Sequence, residues 1–204
     1  MTVAEFITFV EVKLNRIDTS SYEDVRPEEI IFFANDALKS LTLAFDIGAY
    51  SQLLDKDAIL VYLASLTLHR PEFAVTDNNF ALEQSVFKFK GMQAYVEVDD
   101  EKGWQPSLIR DNINEPLREY SPFDKSFPDK PEFRLIENKV VFSVEGFNVT
   151  KAKYDYLRYP VEITEGGADL VYPFMEELED RTVTLILENL EASRLRTQPT
   201  VSRT

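Results

Sequence analysis

The chain has 204 residues, no cysteine, 44% hydrophobic residues with 15 Phe and 9 Tyr, and a formal charge of −14. It is long enough for one domain, or for a compact domain with one large insertion, and its apolar content suffices for a core. Disulfide and thiolate chemistry are excluded, and a body so acidic repels nucleic-acid phosphates.

At the N-terminus, Thr2 and Glu5 have capping-box spacing. Val3, Phe6, Ile7, Val10, Leu14 and Ile17 recur at helical period, so residues 2–17 read as an amphipathic helix. No basic-then-apolar leader precedes it, and no apolar run reaches membrane-spanning length, so the reading is of a soluble protein without a membrane partner. Pro27 opens a second helix, with Glu28 and Glu29 in its first turn. That helix turns Ile30, Ile31, Phe33, Ala34, Ala37, Leu38 and Leu41 inward, and ends near Phe45 with Gly48 as C-cap. A third helix spans 54–67 and stops before His69-Arg70-Pro71.

Beyond Pro71 the period changes. VFKFKG and QAYVEV (86–98) alternate as strands do, and DDEKG (99–103) reads as a turn. Five prolines between 106 and 131 mark a long loop. FRLIENKVVFSVEG (133–146) is a hairpin around Glu137-Asn138-Lys139, and KAKYDYLRYPVEI (151–163) a further strand. Gly166-Gly167 breaks it. Pro173 and the acids Glu176, Glu177, Glu179 and Asp180 then start the strongest helix, whose stripe is Phe174, Leu178, Val183, Ile186, Leu187 and Leu190. The order predicts an α+β protein: a helical bundle (1–70, with 169–193 packing on it), a β-rich insertion (71–168) and a flexible basic tail (194–204). The last eleven residues carry Arg194, Arg196 and Arg203 and no acid, so the preceding 193 hold −17.

Catalytic signals are weak. His69, the only histidine, reads as a helix-end cap rather than a base, because a base needs a nucleophile and an orienting acid beside it. Asp99, Asp100 and Glu101 are adjacent and point apart, unlike the ligands of a calcium loop. Pro128-Asp129 with Glu137-Asn138-Lys139 resembles the PD…(D/E)xK pattern of metal-dependent nucleases, but ENK sits in the hairpin turn rather than within a strand. Tyr154, Tyr156 and Tyr159 offer a base-stacking platform, or a half-buried strand. With no basic groove, the strand reading is favoured. No cofactor or metal follows from these residues.

One resemblance covers most of the chain. VRPEEIIFFANDALKSLTLAF (25–45), with Glu29-Ile30 and Asn35-Asp36-Ala37, resembles a recurring helix of tailed-phage head-to-tail connector (adaptor or ring) proteins. KAKYDYLRYPVEI resembles the strand before their last helix. VYPFMEELEDRTVTLILENLEASRLRTQPTV resembles that helix and its Arg-rich extension. The Pro-rich loop and hairpin are similar to those of structural proteins of crAss-like podoviruses. The resemblance implies a non-enzymatic virion protein, assembled in the host cytoplasm as a homo-oligomeric, twelvefold ring below the portal. Its partners are copies of itself, the portal protein and other ring or tail proteins, with DNA only passing through the channel. The partner-interface residues are then Arg194, Arg196 and Arg203 of the tail, with Tyr154, Tyr156 and Tyr159. The alternatives are the nuclease, using Asp129, Glu137 and Lys139, and an acidic decoy that imitates DNA.

Overall fold

A computed structural model describes residues 1–17, 25–49, 54–83, 85–98, 101–109, 126–136 and 138–197. The chain is α+β and divides into two compact units, one formed by Met1–Ala64 with Pro160–Thr204, the other by Ser65–Tyr159. The expected insertion thus begins six residues earlier and ends nine earlier than 71–168.

The first unit is helical. The Thr2–Glu5 capping box forms as its spacing predicts: Thr2 N donates to Glu5 Oε2 at 2.8 Å, and Glu5 N donates to Thr2 Oγ1 at 3.2 Å. The backbone N–H of Thr2, followed by its hydroxyl, holds the Glu5 carboxyl below its ordinary pKa. Helix α1 (Val3–Ile17) buries Val3, Phe6, Val10 and Leu14. Helix α2 (Pro27–Asp46) starts at its proline and buries Ile30, Ala34, Ala37, Leu38, Thr42 and Phe45. Ile31, Phe33 and Leu41, expected inward, are only half-buried. Past the end of α2, Gly48 takes φ +77°, and its N–H reaches the Phe45 carbonyl at 3.0 Å. Helix α3 (Lys56–Leu66) follows. Helix α4 (Met175–Thr197) starts later than the expected 169 and ends four residues beyond the expected 193, so Arg194 and Arg196 belong to a helix rather than to a flexible tail.

The irregular stretch before α4 is fastened by polar groups. Asn35 Nδ2 donates to the Ile163 carbonyl at 2.9 Å, and Asn35 Oδ1 accepts the Ile163 N–H at 2.8 Å. The amide therefore pairs with this backbone as a neighbouring strand would. Leu170 N donates to Met1 O at 2.7 Å. Phe174 sits edge-on to Phe45 and Tyr62, with ring centroids 4.7 and 4.9 Å away. Lys13 bridges α1 to α4 through Glu179 at 2.9 Å and Asp180 at 2.6 Å. Burial works against the Lys13 charge, but those two carboxylates outweigh it and raise its pKa.

The second unit is a seven-stranded mixed sheet ordered β1-β7-β3-β4-β5-β6-β2. Its strands are β1 (Thr67–Ala74), β2 (Asn79–Ala81), β3 (Val86–Val98), β4 (Glu101–Ile109), β5 (Glu132–Ile136), β6 (Lys139–Ser143) and β7 (Asn148–Arg158). All pairings are antiparallel except β4 with β5. The 133–146 hairpin appears as β5–β6. Residues 86–98 form one strand, bent by register shifts against β7. Two expectations fail here. His69 lies in β1 rather than at a helix end, and 101–103 begin β4 rather than close a turn. Of the expected Pro-rich loop, residues 106–109 belong to β4, and 110–125 lie outside the described residues.

β1 and β2 are joined by only Val75–Asn78, yet they occupy the sheet's two edges. The link is tied to both flanks. Val75 N donates to Thr150 O and Phe142 N to Asn78 O, each at 2.9 Å, while Val149 N donates to Asn78 Oδ1 at 2.8 Å. Asn78 adopts φ +55°, a conformation asparagine tolerates better than most residues. The curled inner face gathers Phe80, Met92, Val96, Phe133, Phe142 and Tyr154 into one core.

Two outcomes follow for the helical unit. Asn35→Ala orphans both Ile163 backbone groups and should cost about 2–3 kcal/mol in urea unfolding followed by the helical circular dichroism signal. A loss inside the error of that titration would show that the Asn35 pairing is dispensable. Burial pushes the Tyr62 phenol up to about 12, against the opposing pull of its hydrogen bond to Thr42. An unfolded tyrosine ionises near pH ~10. The contribution is therefore intact below that pH, and about 2–3 kcal/mol should be lost as pH rises from ~10 to ~12. Tyr62→Phe should flatten that decline; an unaltered alkaline limb would count against a buried phenol.

Candidate functional site

The sequence-predicted residues do not converge. Tyr154 and Tyr156 are 1% and 5% exposed, buried in the core of the sheet unit. Strand alternation puts both on one face of β7, as expected, and that face is the inner one. Burial raises the Tyr154 phenol above its ordinary value, with the nearby Arg70 opposing. Tyr156 Oη donates to Glu83 Oε2 at 3.2 Å, and Glu83 also pairs with Arg70. These rings are cemented into the sheet rather than offered as a platform. Tyr159 is surface-exposed and packs against Phe87 at 4.6 Å between ring centroids. Arg194 and Arg196 lie in the last turns of α4, and Arg203 is outside the described residues.

The nuclease triplet is not assembled among the described residues. Asp129 sits in the 127–130 turn, which borders a slot lined by Lys102, Gly103 and Gln105 of β4. Lys139 begins β6, opposite Ile136 and Ala81. Glu137, Asp99 and Asp100 lie outside the described residues. Among the described residues, no group of three or more His, Cys, Asp and Glu could hold a metal ion.

No motif announced the chemically mixed surface on the outer face of β1, β7, β3 and β4. His69 stands opposite Asp155 in register, and its Nδ1 lies 2.6 Å from Asp155 Oδ1. The orienting acid that the histidine lacked is thus supplied 86 residues away, but no serine or threonine lines the adjoining cavity. Tyr95 and Trp104 face each other across β3 and β4 with ring centroids 5.4 Å apart. Lysines cover them: Lys153 Nζ is 4.4 Å from the Trp104 ring centroid, and Lys151 Nζ is 5.5 Å from that of Tyr95. Lys151 also pairs with Glu72 at 2.5 Å, which raises its pKa. A sequence signal for this face did exist. Alternation in QAYVEV sends Gln93, Tyr95 and Glu97 to one side, but the partners from β4 and β7 are invisible until the strands are registered.

Charge is divided unequally between the units. The helical unit holds 9 Lys and Arg against 20 Asp and Glu, a net −11, while the sheet unit holds 13 against 16, a net −3. The helical unit also leaves large apolar residues in solvent. Leu60 and Val61 of α3 are 58% and 70% exposed, and Phe32 of α2 is 62% exposed.

No protein-family description and no curated protein sequence matches this chain.

The single tryptophan makes the outer face directly observable. Lys153→Met should shift the emission maximum of Trp104 while changing stability by no more than about 1 kcal/mol. Superimposable spectra of the two proteins would mean that the ammonium does not sit on the indole in solution.

Proposed function

We propose that the chain is a structural, non-enzymatic virion protein that forms a homo-oligomeric ring in the head-to-tail connector of a tailed phage. In this reading α1, α2 and α4 act as a helical bundle that builds the ring body. The portal protein and the neighbouring ring or tail proteins attach to it, and DNA passes through without a dedicated binding site. The observation that carries the proposal is the exposed apolar surface of α3, Leu60 and Val61, on a unit of net charge −11. Two large aliphatic side chains adjacent on a helix surface lose hydration cost when a partner covers them. An acidic wall suits a channel through which DNA slides, because phosphate is repelled rather than held. The basic residues near the chain's end, Arg194 and Arg196, give an acidic neighbour a complementary contact, as head-to-tail ring closure requires.

The test is particle mass in solution, alone and with the cognate portal protein. The wild-type chain should form a ring, or join the portal in fixed ratio. The double variant Leu60→Glu, Val61→Glu should keep its helical spectrum and thermal midpoint but lose most of that assembly, since it places two more charges on a contact surface. A chain that stays monomeric and ignores the portal would overturn the proposal. Assembly that survives the double variant would remove α3 from it.

A further inference from the structure

The outer face of the sheet unit contains a dent whose shape comes from a missing side chain. Register places His69, Asp155 and Gly91 in one cross-strand row, and Lys153, Gln93 and Pro106 in the next. Where β3 passes through the first row it has glycine. A Cβ built on Gly91 meets nothing within 4 Å, so the space above the backbone is open. A cavity of about 360 Å³ results, bounded by these six residues together with Met92 and Tyr154. That is at the small end of the range for small-molecule sites.

The polar groups around it alternate in kind. Lys153 supplies an ammonium that makes no ion pair among the described residues, and Gln93 supplies an amide that both donates and accepts. Asp155 binds His69 Nδ1 with Oδ1, which orients the imidazole and leaves Nε2 for a ligand. The fixed charges are one ammonium and one carboxylate, and they cancel. An anion would meet Asp155, and a cation would meet Lys153. A neutral molecule with several hydroxyls, each able to donate and accept, satisfies all four groups at once. Its apolar C–H face has Pro106 to rest on, and the Trp104 indole stands beyond Lys153, 4.4 Å from the ammonium.

We propose that this dent is a binding site for a neutral saccharide unit, with Lys153, Gln93, Asp155 and His69 contacting its hydroxyls over the bare backbone of Gly91. The site is independent of ring assembly. Trp104, the only tryptophan, reports on it directly.

The experiment titrates the full chain with the methyl pyranosides of glucose, galactose, mannose and N-acetylglucosamine. It uses sodium phosphate and sodium acetate as charged probes, and follows Trp104 fluorescence together with the Gly91 amide resonance. At least one pyranoside should give a saturable change in both signals, weakened about tenfold or more in Gly91→Leu and in Gln93→Ala at unchanged thermal midpoint. Gly91 lies in extended strand with open space above it, so the leucine fills the dent without straining the backbone. Gln93→Ala keeps the test valid if the leucine variant fails to fold. No saturable response to any pyranoside up to about 100 mM overturns the proposal. So does tighter binding of phosphate or acetate, or pyranoside binding that both variants leave intact.

Discussion

The four-residue link between β1 and β2 constrains everything else in the sheet unit. Six interstrand gaps in a flat sheet would hold its edges about 29 Å apart. The chain from Ala74 to Asn79 spans at most roughly 17 Å when fully extended. The sheet therefore has to roll until its edges approach, and the register shifts along β3 and β7 supply the bending. The roll decides what each residue sees. Inward side chains converge, so Phe80, Phe142 and Tyr154 meet ring to ring. Outward side chains splay, so one glycine leaves a dent that a flatter, more crowded face would close. Core and candidate site are two consequences of one topological demand.

The helical unit is organised differently. Its apolar faces are ordinary, but the connection that leads into α4 is irregular backbone, and such backbone has to find partners when half-buried. Asn35 and Met1 supply them. The unit thus depends on a few polar contacts between distant parts of the chain, with Lys13 and its two carboxylates adding an ionic strap between α1 and α4. The surplus of acid collects on this unit rather than on the sheet. The proposed connector role uses the helices for contact with copies and leaves the sheet's outer face to other ligands.

Much of the fold was legible. Thr2 with Glu5, Pro27 with its two glutamates, and Gly48 mark helix ends by local chemistry that tertiary context rarely overrides. The β5–β6 hairpin was visible because two alternating runs flank a polar turn. β4 was hidden, since Gly103 and Pro106 fall inside EKGWQPSLI and both residues argue against a strand. The change from α3 to β1 was hidden as well, because LASLTLH contains no glycine or proline to mark where the helix ends. Alternation correctly placed Tyr154 and Tyr156 together. Which face of β7 is buried depends on the strands beside it, and that information is not local. The His69–Asp155 pair and the Gly91 dent needed the register of three strands, so no motif could announce them.

The helical unit is assembled from two segments that flank the sheet unit, with ninety-five residues of sheet inserted between Ala64 and Pro160. This has a consequence for synthesis. As the chain leaves the ribosome, α1 to α3 emerge without α4, and Phe6, Val10, Ile30 and Leu38 have no C-terminal partner to cover them. The sheet unit is contiguous and can close as soon as β7 appears. Closing the helical unit then joins segments far apart in sequence, which slows folding and prolongs the exposure of apolar surface. α4, made after the sheet unit, is therefore the helix that completes a unit begun before that sheet.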